Sequence, residues 1–222
     1  MSEIIYILTN EAMEGLVKIG YTTTSVEQRI KELDNSSLPL PFQCFYAGEV
    51  TDCAYVEAQL HKAFADKRVR SKREFFRVDP NQVRAAIMIA NPKDVTPKTD
   101  VVVDASDVQA LQKAAVAQDK RTRLKFSELA IPPGAILVFV KDEKVTCTVV
   151  ANGEVNFQNQ IMSPSKAALL AIQNLGYKWA SLSGSDYWKY EDETLTARRL
   201  RMEDEQESVS YTHLTLPTIL LV

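Results

Sequence analysis

Two apolar runs of strand length, IIYIL and GLVKIGY, flank the turn-rich NEAMEG at the start of the chain. The period of two in each run and the polar break between them predict a β-hairpin with a longer loop, around which the rest of the segment must fold. Alternation sets Ile4, Tyr6 and Leu8 against Ile5 and Ile7 on the first strand. On the second it sets Leu16, Lys18 and Gly20 against Val17, Ile19 and Tyr21. A lysine inside so apolar a strand needs a reason. It is either an edge-strand lysine that blunts aggregation or a functional group, and Gly20 leaves an open spot on its face for a backbone or a ligand.

The pattern then alternates helix and strand, the order of a small α/β or α+β domain. SVEQRIKELDNSS reads as a helix with Ser25 as N-cap and Gln28 as its capping-box partner. FQCFYAGEV reads as a strand, and Asp52 caps a helix running through Ala65, whose stripe is Cys53, Val56, Leu60, Ala63 and Phe64. EFFRV is a short strand, and Pro80 opens a last helix, NQVRAAIMIA.

A boundary falls near Pro92. The expected organisation is a domain over 1–91, a linker with the Ala/Gln-rich helix SDVQALQKAAVAQDKRTR over 92–123, a second domain over 124–202 and an acidic tail over 203–222. In the second domain, AILVFV and VTCTVVA are strands joined by the charged turn KDEK. SPSKAALLAIQNLG is a helix with Ser163 or Ser165 as N-cap and Gly176 as C-cap. The uncharged SVSYTHLTLPTILLV does not match its surroundings, resembles a read-through tail and is left out of the fold reasoning.

Composition narrows the class. With 45% apolar and 25% charged residues in 222, the chain is of ordinary globular type. Neither a basic leader nor a membrane-length apolar run is present, so a cytoplasmic protein off the membrane is expected. Cys44, Cys53 and Cys147 lack CxxC spacing and cannot all pair, which fits a reducing compartment. The net charge of −3 disfavours a uniformly basic nucleic-acid binder, yet Lys62 to Arg77 holds seven basic and two acidic residues, a local +5. Such a run is either a solvated face or a phosphate-facing ridge.

Two further placements bear on chemistry. Arg29 follows Val26 by three positions and precedes Leu33 by four, so it leaves from the apolar stripe of its helix. It needs an anionic partner there, or it snorkels out or pairs with a carboxylate such as Asp34. Glu57 and His61 are four apart, each one position past a core residue, and stack at the rim of the next stripe. They are either a solvated i,i+4 pair or a carboxylate and an imidazole placed for a divalent cation and a phosphate.

Taken in order, IIYIL, VKIGYTT, Arg29, YVEAQLHKAF and KREFF resemble the GIY-YIG nuclease superfamily, in its phage and bacterial DNA-binding branch, over about residues 3 to 90. The resemblance implies a small three-stranded antiparallel sheet flanked by helices, and metal-assisted phosphodiester hydrolysis. Tyr6 would fall on the first motif, Lys18, Ile19 and Gly20 on the second, Arg29 on the helix arginine, and Glu57 on the ligand of one Mg²⁺ or Mn²⁺. Ile4 stands where the family often has Gly, Lys18 where it has Tyr, and the Asn that often follows the glutamate is missing. Either Lys18 with a lowered pKa, Tyr21 or a metal-bound water would then supply the base or nucleophile. Residues 124–200, through GEVNFQ, SPSKAALLAI and YKWASLSGSDYWKY, resemble the RAMA module, a small β-rich domain with one helix whose implied role is to recognise modified DNA.

The expectation is thus an α+β protein of two parts. It would act as a GIY-YIG-type endonuclease on double-stranded, possibly modified DNA, in a restriction, phage or defence context. The catalytic set is Tyr6, Lys18, Tyr21, Arg29, Glu57 and His61, converging on one concave face; Arg29 and Glu57 on opposite sides of the sheet would count against the nuclease assignment. DNA contacts come from Lys67, Arg68, Arg70, Lys72 and Arg73, and modified-base contacts from Ser163, Ser165, Trp179 and Trp188, the tryptophans being alternatively core. A non-cleaving DNA binder on the same scaffold and an RNA- or protein-binding adaptor are the other readings.

Overall fold

The computed structural model describes residues 3–34, 38–101, 108–111, 113 and 126–213, with side chains through 206. The Ala/Gln-rich helix expected after the linker falls mostly outside the described residues.

The hairpin strands are β1 (Ile4–Thr9) and β2 (Leu16–Thr22), and β3 (Gln43–Glu49) pairs on the other side of β1. Two short strands widen the expected three-stranded sheet to five: β4 (Phe75–Arg77) beyond β2, and β5 (Lys93–Asp94) beyond β3. All pairs are antiparallel in the order β4-β2-β1-β3-β5. Ile4, Tyr6 and Leu8 pack with Val26 and Ile30 of α1 (Val26–Leu33). Ile5, Ile7, Val17 and Ile19 pack with Leu60 of α2 (Cys53–Ala63) and with Val83 and Ile87 of α3 (Pro80–Met88). Alternation on β1 therefore sends α1 to one face and α2 and α3 to the other.

The caps are local chemistry. The Ser25 hydroxyl accepts from the Gln28 N–H at 3.1 Å, though the Gln28 side chain donates to Glu32 instead of closing the box. Asp52 accepts from the Tyr55 N–H at 2.9 Å. Asp79 caps α3 just before Pro80. Ala63 is exposed, contrary to the expected stripe, because α2 ends there and Phe64 turns the chain into the single 3-10 turn Ala65–Lys67.

The second sheet is antiparallel in the order β11-β10-β6-β7-β8-β9. Its strands are β6 (Ile136–Phe139), β7 (Asp142–Val149), β8 (Val155–Phe157), β9 (Gln160–Met162), β10 (Trp188–Tyr190) and β11 (Glu193–Thr194). Where one helix was expected there are three: α4 (Pro164–Asn174), the short α5 (Gly184–Tyr187) and α6 (Leu195–His213). The acidic stretch read as tail belongs to α6. That helix has no apolar period to announce it. It is tied at i,i+4 by Arg199 with Glu203 and Arg201 with Glu205, while Leu195 and Ala197 are buried at its start. Among the described residues no helix is long and apolar enough to cross a membrane.

The two sheets share one continuous core, with Phe45 against Tyr187 at 5.3 Å between centroids. Polar groups close the seam. The Thr194 hydroxyl donates to Asp79 at 2.7 Å, Asn81 donates to the Asp186 backbone carbonyl at 2.7 Å, and the Thr196 hydroxyl donates to the Asp186 carboxylate at 2.6 Å. Burial, reinforced by the charge of Asp79, pushes the Asp186 carboxyl up to about 7. A folded-state value above the unfolded one contributes stability that is full below the unfolded pKa and is lost as pH rises through about 7. Asp186→Asn, which keeps an acceptor for Thr196, is expected to flatten that fall. Its advantage over the native protein in chemical denaturation should be near zero at pH 4 and on the order of 2–3 kcal/mol at pH 8. Parallel stability curves for the two proteins across this range would refute it.

Candidate functional site

Register places Tyr6 opposite Gly20 and Leu8 opposite Lys18, so Tyr6 and Lys18 share the α1 face. Tyr6 is buried, and a Cβ on Gly20 would lie 2.6 Å from its hydroxyl. The spot over Gly20 is thus filled by the Tyr6 ring rather than open to a ligand. Arg29 Nε donates to the Tyr6 hydroxyl at 3.4 Å, and its Nη1 pairs with Glu32 at 3.2 Å. Glu32, not Asp34, is therefore its carboxylate partner. Burial holds the Tyr6 phenol above its usual range; the Arg29 bond and charge oppose this, while Glu74 and Glu57 add to it. Tyr6 keeps its proton at neutral pH.

Lys18 is not an edge lysine, because β4 covers the outer side of β2. Its ammonium is buried, lies 5.7 Å from the centre of the Phe75 ring and pairs with Glu74. Glu74 was not anticipated. It is an acid inside a basic run, which charge counting absorbs into the sum, and its one signal is its place just before Phe75 and Phe76. Burial pushes its carboxyl up, but the Lys18 bond and charge outweigh that and leave it below the usual range.

Glu57 and His61 rise from α2, on the opposite face. Glu57 is half-buried, and burial, helped by the charge of Glu74, raises its carboxyl against the pull of His61, Lys18 and Arg68. His61 Nε2 lies 3.2 Å from the Ile19 carbonyl, which can only accept, so that nitrogen carries a proton. The imidazole packs on Phe76 at 5.0 Å. His61 is thus anchored to β2 rather than to Glu57.

The expected single concave face is not what forms. Arg29 and Glu57 sit on helices covering opposite sides of the sheet, and what joins them is the edge of β2. Pairing with β4 stops at Lys18 with Phe75, and the next N–H, of Ile19, is taken by the Glu74 carbonyl at 3.2 Å. Groups from both faces meet around this edge closely enough to shift one another's titration. Tyr21, opposite Ile5, falls on the α2 side and is exposed.

The basic ridge folds back on β4. The Val69 N–H donates to the Phe75 carbonyl, Arg68 Nε donates to the Arg73 carbonyl at 2.6 Å, and the Arg68 guanidinium lies 5.5 Å from the centre of the Phe76 ring. Arg70, Lys72 and Arg73 stay exposed. Lys67 instead reaches Asp204 of α6 at 3.4 Å.

The second group of candidates is spread through the core of the other sheet. Trp188 is buried and donates to the Pro164 carbonyl at 2.9 Å; Trp179 is buried and donates to the Pro97 carbonyl at 3.2 Å. Ser163 caps α4, and the Ser165 hydroxyl accepts from the Gly184 N–H at 3.1 Å. Neither tryptophan offers a ring to a base, so the core alternative describes both.

Among the described residues no three His, Cys, Asp or Glu side chains are grouped to hold a metal ion. Glu57, a half-buried carboxylate, is the residue that would hold a divalent cation at this edge, with water supplying most of the other ligands, since Glu74 is paired with Lys18. No curated protein and no solved structure matches the chain. The stretch that carries Tyr6, Lys18, Arg29, Glu57, Glu74 and the basic ridge does find a family, since residues 3–90 match the model of the T5orf172 domain.

Proposed function

We propose that this protein is a metal-dependent DNA endonuclease of GIY-YIG type with a restriction, phage or defence role. The observation that carries the reading is the bond of Arg29 to Tyr6 with Lys18 on the same face, beside a ridge of exposed cations, Glu57 reaching this edge only electrostatically from the other face. Phosphodiester hydrolysis puts negative charge on the phosphorus oxygens as the nucleophile adds, and charge placed in advance is what lowers that barrier. Arg29, held by Tyr6 and Glu32, presents its guanidinium to a phosphate, while the Lys18 charge on the same face is taken up by Glu74. Glu57 would hold Mg²⁺ or Mn²⁺, which when bound neutralises phosphate charge and acidifies a water. With Nε2–H given to the Ile19 carbonyl, His61 would offer Nδ1 as an acceptor, suited to orienting a water rather than to contact with a phosphate oxygen.

A second reading, a non-cleaving DNA binder, is favoured by two features: Arg29 and Glu57 sit on helices covering opposite sides of the sheet, and with Lys18 tied to Glu74 and Tyr6 a protonated phenol neither stands ready as a base. The resemblance of 124–200 to the RAMA module extends both readings to modified double-stranded DNA, recognised by surfaces other than the two buried indoles. Incubating the protein with methylated and unmethylated plasmid, with Mg²⁺, Mn²⁺ or EDTA, separates them. Nicking that EDTA abolishes supports the enzyme; shifted but intact plasmid in every condition supports the binder.

Binding has its own signature. Arg70, Lys72 and Arg73 replaced together by Ala are expected to flatten the dependence of log Kd on log salt by up to about 2.7, since each lost phosphate contact removes about 0.9. An unchanged slope would move the contact elsewhere.

A further inference from the structure

The basic ridge already carries an acidic occupant. Helix α6 starts beside the second sheet at Leu195 and brings Glu203 and Asp204 of its acidic run against the ridge. Glu203 pairs with Arg77, and Asp204 pairs with Lys67 at 3.4 Å. Between α6 and the ridge runs a groove of about 800 Å³, lined by Lys67, Arg68 and Arg77 on one wall and by Arg201, Asp204 and Glu205 on the other. The helix is held over this groove independently of those two pairs, by Leu195 and Ala197 in the core and by the ion pair of Arg199 with Glu14. The acids are therefore carried to the ridge by the fold, rather than the helix being carried there by the acids.

We propose that this acidic turn of α6 is a built-in competitor for the DNA backbone, its carboxylates standing on Lys67 and Arg77 where phosphates would stand. The inference rests on the reading of the ridge as the DNA contact. Each pair is solvent-accessible and weak in isolation, so DNA displaces the acids instead of being shut out. The cost appears as lower affinity, greatest at low salt, because the carboxylates must leave Lys67 and Arg77 before phosphates take their place and salt itself loosens those pairs. Arg70, Lys72 and Arg73 are exposed, have no ion pair to α6 among the described residues, and provide the first foothold.

The test is fluorescence anisotropy of the full chain with a labelled duplex over a salt series. Glu203→Gln with Asp204→Asn, nearly isosteric changes at accessible positions, is expected to tighten binding about tenfold at low salt and to steepen the salt slope modestly, since the competing pairs it removes are themselves weakened by salt. The conservative exchange Glu203→Asp with Asp204→Glu should leave both near the native values. Combined with Lys67→Ala and Arg77→Ala, the neutral pair should gain nothing, since the cations it uncovers are gone. Thermal melting shows that each variant is folded. Native affinity and slope in the neutral double variant, alongside a flattened slope in the Arg70, Lys72 and Arg73 variant, overturn the competitor while keeping the ridge. If that triple variant binds as the native protein does, the ridge reading falls and takes the competitor with it.

Discussion

Glu57→Gln is expected to lower metal-dependent plasmid nicking by about a thousandfold or more, while duplex affinity stays within about twofold of native. The change keeps the shape of the side chain and removes the one property on which the proposed chemistry depends, a carboxylate charge at the β2 edge. The fold should tolerate it well. Burial already disfavours the ionised form of Glu57, with Glu74 adding to the penalty, so an amide gives up little and the melting temperature should hold or rise. Because a divalent cation on Glu57 would hold its carboxylate ionised, the acid limb of the activity profile is expected to move down as the metal concentration rises. A contaminating nuclease would be indifferent to the substitution, and nicking within tenfold of native in the variant would place the metal elsewhere. His61→Ala should be milder in rate and costlier in stability, because its imidazole anchors to the Ile19 carbonyl and packs on Phe76.

The contrast between Glu57 and Glu74 shows how far the sequence could be read. Glu57 lies on a helix whose stripe is legible, and its position at the rim follows from counting residues past Val56. Glu74 lies in a loop, where no period assigns a direction, and its neighbours Lys72 and Arg73 disguise it as part of a basic patch. Only the pairing of β4 with β2, a contact between residues fifty-six positions apart, brings it to Lys18. The hairpin, the Ser25 and Asp52 caps and the Pro80 start were legible because each depends on neighbours within a turn or two. Strand β4 was legible as the short strand EFFRV, though its pairing with β2 was not; β5 and the helix α6 were not, since their positions come from tertiary pairing and ion pairs rather than from an apolar period. The division of Arg29 and Glu57 between opposite faces follows from the same alternation that placed Tyr6 and Lys18 together. It required knowing which helix takes which side, and that is decided by the whole core.

Gly20→Ala should test whether the Tyr6 hydroxyl matters where it stands. The added methyl would lie 2.6 Å from that oxygen and 2.8 Å from Cζ, closer than carbon tolerates. Tyr6 is enclosed by the core shared with Val26 and Ile30, so its ring has to pivot against packed neighbours and its bond from Arg29 Nε breaks. Two effects are expected together: a loss of about 1–3 kcal/mol in stability from overpacking, and a fall of about a hundredfold in nicking as Arg29 loses its fixed orientation. Tyr6→Phe separates them. It removes the hydroxyl but leaves the ring over Gly20, so nicking should fall while stability changes by about 1 kcal/mol or less. In the double variant the methyl meets a ring without its oxygen, and part of the stability lost in Gly20→Ala should return while nicking stays low. DNA affinity should be native in all three, because the ridge cations are on another element. If Gly20→Ala melts and nicks as the native protein does, the ring has room to spare and the Tyr6 to Arg29 bond is not what orients the guanidinium; the arginine would then depend on Glu32 alone.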